Sequence, residues 1–447
     1  MNTQKPESTD LSTELQDLPL SQTDEPASTA RARFFTESHW TFHWPAWLIF
    51  AALILLPVGR TVELPTLIMA IAGAMLIWHQ GSRLYRVPGQ RYFALLFLCI
   101  WIPMVVSWFG AVNMSKATSA VLTFPRLYLA GVFVVWAMSV PARQQLVLKL
   151  AALMVAFWVL DALIQAVFGQ DIFGFRYVPP RLNGIYGETH LDLGVALPTL
   201  APLLLLSLRR NLACLVAASL LTGLVVFMAG SRGGWVSYGL VLLVLAAHEW
   251  RLKNLRWKQL TLAAVLFTGI GWIILHFQPE TEQRLQQSLD LFSGDWEQVN
   301  QATSLRLQIW STALRMAEAH PFNGVGVGGF RYAYVQHANH DDIFVDAQTG
   351  TGPFYAHQLL VQVGSETGLV GLAGLGLFYV VWLRTWRQSP QEAKTIALPF
   401  ALSALAWLFP LNTHASFYSA QWSQLIWLLL ALYCSSLSIS GNGRHPA

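Results

Sequence analysis

Apolar residues fall along the chain in long runs separated by short polar joints. Runs of this length, without strict apolar–polar alternation, predict helices, and a window of about 19 residues separates them. Twelve emerge: 45–58, 64–79, 92–110, 118–140, 145–168, 190–207, 212–229, 235–247, 260–277, 358–383, 396–411 and 420–438. A full bilayer crossing takes about 20 residues, so the first, second and eighth are short. Ahead of them, residues 1–43 are polar with no apolar run, which predicts a disordered cytoplasmic tail. That stretch lacks the basic start and short apolar core of a secretory signal. One long loop, 278–357, separates the ninth and tenth runs. Within it Leu307, Trp310, Leu314 and Ala317 recur at 3-4-3 spacing. This predicts a helix over 304–319, covered on that face by the membrane surface or by the bundle, and stopped by Pro321.

Composition sharpens the class. The 447 residues are 54% hydrophobic and 12% charged, about half the charge of an ordinary soluble domain. The pattern predicts an all-α polytopic membrane protein of about twelve transmembrane helices with one large periplasmic loop. It excludes a secreted disulfide scaffold, a disordered chain and a cytosolic enzyme. The expected organisation is a tail at 1–43, helices 1–9 at 44–277, a loop domain at 278–357, and helices 10–12 with a short tail at 358–447. Cys99, Cys214 and Cys434 all lie inside apolar runs, which suggests neither a disulfide nor a thiolate metal site.

The net charge of +4 reports topology rather than nucleic acid. With the N-terminus inside, 18 of the 28 Lys and Arg fall in cytoplasmic joints and 9 on the opposite side. That asymmetry supports an even number of crossings and places the 278–357 loop outside. Of the nine outward basic residues, all but Lys116 are Arg. Arg binds phosphate bidentately and keeps its charge beside lipid. Arg176 and Arg181 in FRYVPPRLNGIYGETH, Arg232 in AGSRGGW and Arg126 in TFPRLYL therefore suit a lipid-linked diphosphate; pairing with Glu188 or Asp192, or snorkelling, is the plainer role. Ser231, Gly233 and Gly234 around Arg232 would let backbone N–H groups approach an anion.

His357 stands where the long loop re-enters the membrane, and an imidazole there could take a hydroxyl proton near neutral pH. Glu366 lies nine residues on, inside the outer half of the span, where an acid is costly and could orient a ligand or pair with Arg. ETHLD at 188–192 could contact substrate through Glu188 or His190, or balance Arg176 and Arg181. Asp161 is a further buried acid. HANHDD at 337–342 has loose metal-ligand spacing and reads equally as a solvated loop. GVGVGG at 324–329 bridges no strand and helix, so it reads as a turn rather than a nucleotide loop.

Taken in order, AGSRGGW, a long outward loop with SLRLQIWSTAL and HPFNGVGVGGF, then AHQLLVQVGSETGLVGL resemble the O-antigen ligase and polymerase superfamily from about Arg181 to Leu372. The resemblance implies a membrane glycosyltransferase fold of the lipid-dependent, GT-C-like type. It implies transfer of a glycan from undecaprenyl diphosphate, at the periplasmic face of the inner membrane, to lipid A-core or to another repeat unit. Neither metal nor other cofactor is implied. The family's donor-holding arginines fall on Arg181 and Arg232, its loop arginine on Arg306, and its candidate base on His357. The chain departs from the family pattern at Gln358, commonly Asn, and at Glu188-Thr189-His190, where Asn-Pro-Asn is frequent. A secondary transporter is the rival class, but the polar groups gather at the outer edge rather than at a midplane.

Overall fold

The structure is a computed structural model describing residues 42–188, 192–252, 289–413 and 416–438, with isolated positions between 259 and 286. Most of the polar tail, the ninth apolar run and His190 lie outside the described residues. The chain divides into two units, 1–44 and 45–447, and the helical bundle belongs to the second.

Helices follow in the order α1 (Phe42–Ile54), α2 (Glu63–Gln80), α3 (Pro88–Trp108), α4 (Met114–Thr123), α5 (Pro125–Ala137), α6 (Pro141–Phe168), α7 (Leu193–Ser207), α8 (Leu212–Met228) and α9 (Arg232–Arg251). Then come α10 (Trp296–Ala302), α11 (Arg306–Ala319), α12 (Phe330–His337), α13 (Leu359–Gln388), α14 (Gln391–Leu408) and α15 (Ala420–Ser436). Among the described residues there is no strand, only isolated bridges. Local chemistry sets the boundaries. Proline opens α3, α5 and α6, where its missing N–H costs nothing. Side-chain caps start α4 (Asn113), α8 (Asn211), α9 (Ser231) and α15 (Ser419). The fourth apolar run divides at Phe124–Pro125 into α4 and α5.

Among the described residues, five helical stretches are long and apolar enough to cross a membrane: Gly59–Arg86, Pro88–Trp108, Met114–Ala137, Pro141–Phe168 and Leu359–Gln388. Phe42–Ile54, Leu193–Ser207 and Leu212–Met228 are shorter apolar helices. Burial shows how lipid serves as solvent. On α2, Leu64, Leu67, Ile71, Met75 and Trp78 are exposed along one stripe, while Pro65, Met69 and Gly73 are buried against α5. An apolar stripe of that extent facing outward belongs in a bilayer. By contrast α7 and α15 are buried around nearly their whole circumference, as expected of central helices. α14 packs against both and joins them.

The segment 289–358 has a small core of its own, with Ile309, Met316, Phe330 and Tyr334 at its centre. It is seated by backbone contact with α13. Gly368 interrupts α13 at φ 62°, ψ −159°, a conformation essentially restricted to glycine. The break lets Leu369 and Val370 donate N–H bonds to Pro321 O (2.8 Å) and Phe322 O (3.1 Å). The GVGVGG stretch is a run of turns on the same surface. Val325 and Gly326 donate to Ser365 O (2.9 Å) and Glu366 O (3.0 Å), and a Cβ on Gly324 would run into the Glu366 backbone.

α11 is helical as its spacing predicts, and it packs against α13. On the expected face Leu307, Trp310 and Ala317 are half-buried. Ile309, Thr312, Ala313 and Met316 are buried, while Leu314 is 56% exposed. Small residues allow close approach to α13. Trp310 sits at the edge because its indole N–H needs the acceptor Ala356 O, 2.8 Å away.

Gly368→Ala is expected to lower Tm by several degrees, since the backbone conformation alone costs about 1–3 kcal/mol and the new methyl meets Phe322 O. Gly364→Ala, with nothing closer than 3.6 Å to its Cβ, should leave Tm unchanged or raised. Thermal unfolding in detergent compares the two.

Candidate functional site

Arg181 lies in the 169–188 loop, which two side chains of α6 hold in place. Gln165 accepts the N–H groups of Asn183 (3.2 Å) and Gly184 (2.8 Å) and donates to Phe175 O (3.2 Å). Asp161, the buried acid of α6, accepts Ile172 N–H at 3.1 Å. Leu182 N–H then donates to Met228 O, 3.1 Å, which sets Arg181 beside the turn joining α8 to α9. Arg232 opens α9 on that turn, and its guanidinium donates to Ala302 O at the end of α10.

Gly234, two residues after Arg232, serves helix packing. Gly234 N–H is taken by the Ser231 cap at 3.2 Å, and a Cβ on Gly234 would run into Gly194 O of α7. This close crossing brings the start of α7, with Asp192 before it, to the start of α9.

Arg306 opens α11 and donates to Thr413 O at 3.1 Å. Ser304 and Leu305 before it have φ 58° and 61°, and His357 has φ 53°. These are the non-glycine residues with positive φ among the described residues, and all flank the candidate groups. Left-handed backbone at a bulky residue persists only where surrounding contacts impose it, and it concentrates at functional sites. The His357 ring lies 4.1 Å from the Tyr355 ring, tilted by 42°, and Trp310 holds the intervening carbonyl of Ala356.

Electrostatics draws these pieces together. Burial pulls the Arg306 guanidinium below its ordinary pKa; Tyr355 opposes that, and the charges of Arg232 and Arg181 add to it. Arg232 in turn lies within the field of Arg181. Burial raises the Tyr355 phenol, Arg306 pulls it back, and Asp192 pushes it up again. Three guanidiniums thus converge with Asp192 as the carboxylate that acts on the cluster's edge. An excess of fixed positive charge in partly buried surroundings is suited to a multiply charged anion. Tyr355 was missed from sequence, although the PFYAHQ stretch carried the signal of an aromatic two residues before the histidine.

The other predicted residues sit elsewhere. Arg176 and Glu188 are exposed, and the Glu188 carboxylate accepts the Arg176 backbone N–H at 2.9 Å. Glu366 is 2% exposed and belongs to the supporting frame. Its oxygens accept Gly328 N–H (2.6 Å) and the Gln362 amide (2.9 Å). Gln362 also donates to Ser416 Oγ (2.7 Å) and accepts Phe417 N–H (3.1 Å). Glu366 therefore anchors both the glycine-rich turns and the 409–419 loop that supplies Thr413 O to Arg306. Gln358 caps α13 by accepting Val361 N–H at 2.6 Å and donates to Pro410 O at 2.9 Å. In the HANHDD stretch, Asp342 accepts Tyr334 OH (2.9 Å) and Phe344 N–H (2.9 Å) within the local turn.

The fold and site together describe an all-helical membrane protein with a cationic cluster held over one end of its bundle. Residues 217–376 match the family model described as O-antigen ligase (Wzy_C), a likeness that supports the O-antigen ligase superfamily. The matched stretch includes Arg232, Arg306, His357 and Glu366 and begins after Arg181. No curated protein matches the chain.

Glu366→Ala should take away the acceptor of the Gly328 N–H and one of the two acceptors of the Gln362 amide, together a loss of about 1–3 kcal/mol. The expected outcome is a Tm several degrees lower, with Glu366→Gln falling less because it keeps an acceptor. An unchanged melting curve for Glu366→Ala would show that the clamp carries no load.

Proposed function

We propose that the chain is an O-antigen ligase of the bacterial inner membrane, transferring a glycan from undecaprenyl diphosphate to lipid A-core. The observation that carries this reading is the convergence of Arg181, Arg232 and Arg306 on the end of the bundle where His357 is held in left-handed backbone. On this reading the chain crosses the bilayer twelve times in a GT-C-like arrangement. The 278–357 domain then faces the periplasm, and the N-terminal tail faces the cytoplasm.

The chemistry follows from charge. The bond between the sugar anomeric carbon and the diphosphate oxygen breaks, and negative charge grows on that oxygen. Guanidiniums already in place stabilise it more in the transition state than in the ground state. The acceptor hydroxyl oxygen forms the new bond to the anomeric carbon, and its proton passes to the His357 imidazole. The lipid diphosphate leaves. A single displacement inverts the anomeric centre, and the linkage energy stored in the diphosphate drives it without ATP. Tyr355 orients the imidazole by ring contact and borders Arg306. Arg176, Glu188 and His190 form a rim for the glycan, and Glu366 acts through the frame.

Complementation of a ligase-null strain tests the assignment. His357→Ala should reduce polymer capping of lipid A-core by about 10²–10⁴-fold. Arg232→Ala and Arg306→Ala should each reduce it on the order of 10²-fold. Arg181→Lys should be strongly impaired because Lys offers no planar fork. Normally inserted variants with unchanged capping would refute these roles. In the deletion strain, unattached polymer on its lipid carrier is the expected accumulation; cores bearing a single repeat would instead mark a repeat-unit polymerase.

A further inference from the structure

The far ends of α9, α13 and α14 carry a second feature, away from the arginine cluster. An apolar groove runs between these helices, lined by Val244, Tyr379, Trp382, Leu383, Leu402 and Leu405. Pro410, which accepts the Gln358 amide, closes its upper end. At Val244, Trp386 and Leu398 the groove continues into a cavity bordered by His248, Arg251, Arg387 and Lys394. Leu252 joins that cavity to a third, lined by Arg209, Arg210 and Glu249. Five cations and one carboxylate therefore ring one end of a greasy slot. Lys394 is drawn toward Arg387 by a bond from its ammonium to Arg387 O, 3.2 Å. His248 Nε2 is buried at the cavity wall with no hydrogen-bond partner among the described residues.

The distance between the two charged ends is set by α9. Its 20 residues run from Arg232 to Arg251, about 30 Å at 1.5 Å per residue. That equals the hydrocarbon thickness of a bilayer, and on the proposed membrane-spanning reading the cup falls at the headgroup level of the leaflet opposite the cluster. The preference for Lys and Arg on one side of a membrane explains cations there. It does not explain an apolar slot opening directly beneath them, or the buried imidazole nitrogen of His248.

We propose that this groove and cup bind one anionic phospholipid, with acyl chains along Val244, Trp382 and Leu402 and the phosphate among Arg251, Arg387 and Lys394. The charge decides the occupant. A polyprenyl donor keeps its phosphates at the other end of the bundle, and its tail would bring no charge to the cup. A zwitterionic lipid would place a cationic amine among five cations.

The test uses the full chain in nanodiscs of equimolar phosphatidylcholine and phosphatidylglycerol, with retained lipid counted by native mass spectrometry. The wild type should retain one phosphatidylglycerol with about tenfold or greater preference, as two or more basic side chains at a headgroup would give. Arg251→Gln with Arg387→Gln, both at exposed positions, should bring the preference below about threefold, and the double Lys variant should restore it. Leu383→Trp, at an exposed position in the groove wall, should reduce retention of both lipids. Equal retention by the wild type, or preference surviving in the double Gln variant, overturns the proposal. So does retention of added undecaprenyl phosphate without phosphatidylglycerol preference, blocked by Leu383→Trp, which would identify a tail groove.

Discussion

Three like charges converge in this protein, and much of the structure around them exists to hold them there. Arg181, Arg232 and Arg306 repel one another, and partial burial strips away water that would screen the repulsion. A backbone feature positions each of them. Arg181 follows from the Gln165 clamp and the Leu182–Met228 bond. Arg232 follows from the Ser231 cap and the glycine crossing of α7 and α9. Arg306 follows from two successive left-handed residues. Carbonyl oxygens of Ala302 and Thr413 absorb part of the positive field. A bound diphosphate would relieve the repulsion, so the cost of assembling the cluster returns as anion affinity. On the proposed reading, the site is preorganised in the sense that catalysis by charge stabilisation requires.

That arrangement depends on a second, uncharged layer. The kink at Gly368 and the turns of GVGVGG interlock at the level of main chains, and Glu366 fastens the interlock from within. Through Gln362 the same acid reaches the 409–419 loop and hence the acceptor for Arg306. A buried carboxylate in a helix can thus matter to an anion site without touching the anion. The lipid-facing stripe of α2 and the central burial of α7 and α15 do the coarser work of holding the bundle together.

Much of this was legible in the sequence, and the remainder was not for physical reasons. Apolar runs mark helices because both lipid-facing and central helices need them, and each of the described runs falls on a helix. Arg232 stood out for the Ser231, Gly233 and Gly234 around it, and His357 for standing where the long loop re-enters the membrane. On α11 the spacing marked the face of Leu307, Trp310 and Leu314, while Ile309, Ala313 and Met316, which obey helical spacing as well, pack into the core formed with Val325, Phe330 and Tyr334. No local pattern encodes those neighbours. Glu366 was singled out as an expensive acid; Gln362 lies one turn before it on the same helix, but Gly328 comes from a chain crossing that spacing cannot show. Gly234 suited both anion approach and helix crossing. The position of Gly194 shows the second of those roles.

The central claim is that the cluster binds the donor's diphosphate and His357 acts after binding. It is tested most directly by measuring the affinity of undecaprenyl diphosphate for the reconstituted protein in nanodiscs, comparing His357→Ala with the Arg181→Gln, Arg306→Gln double variant. Donor affinity within about twofold of wild type is expected for His357→Ala, and a loss of on the order of 10²-fold for the arginine variant. Unchanged donor affinity without the two arginines, or affinity lost only with the imidazole, would contradict it.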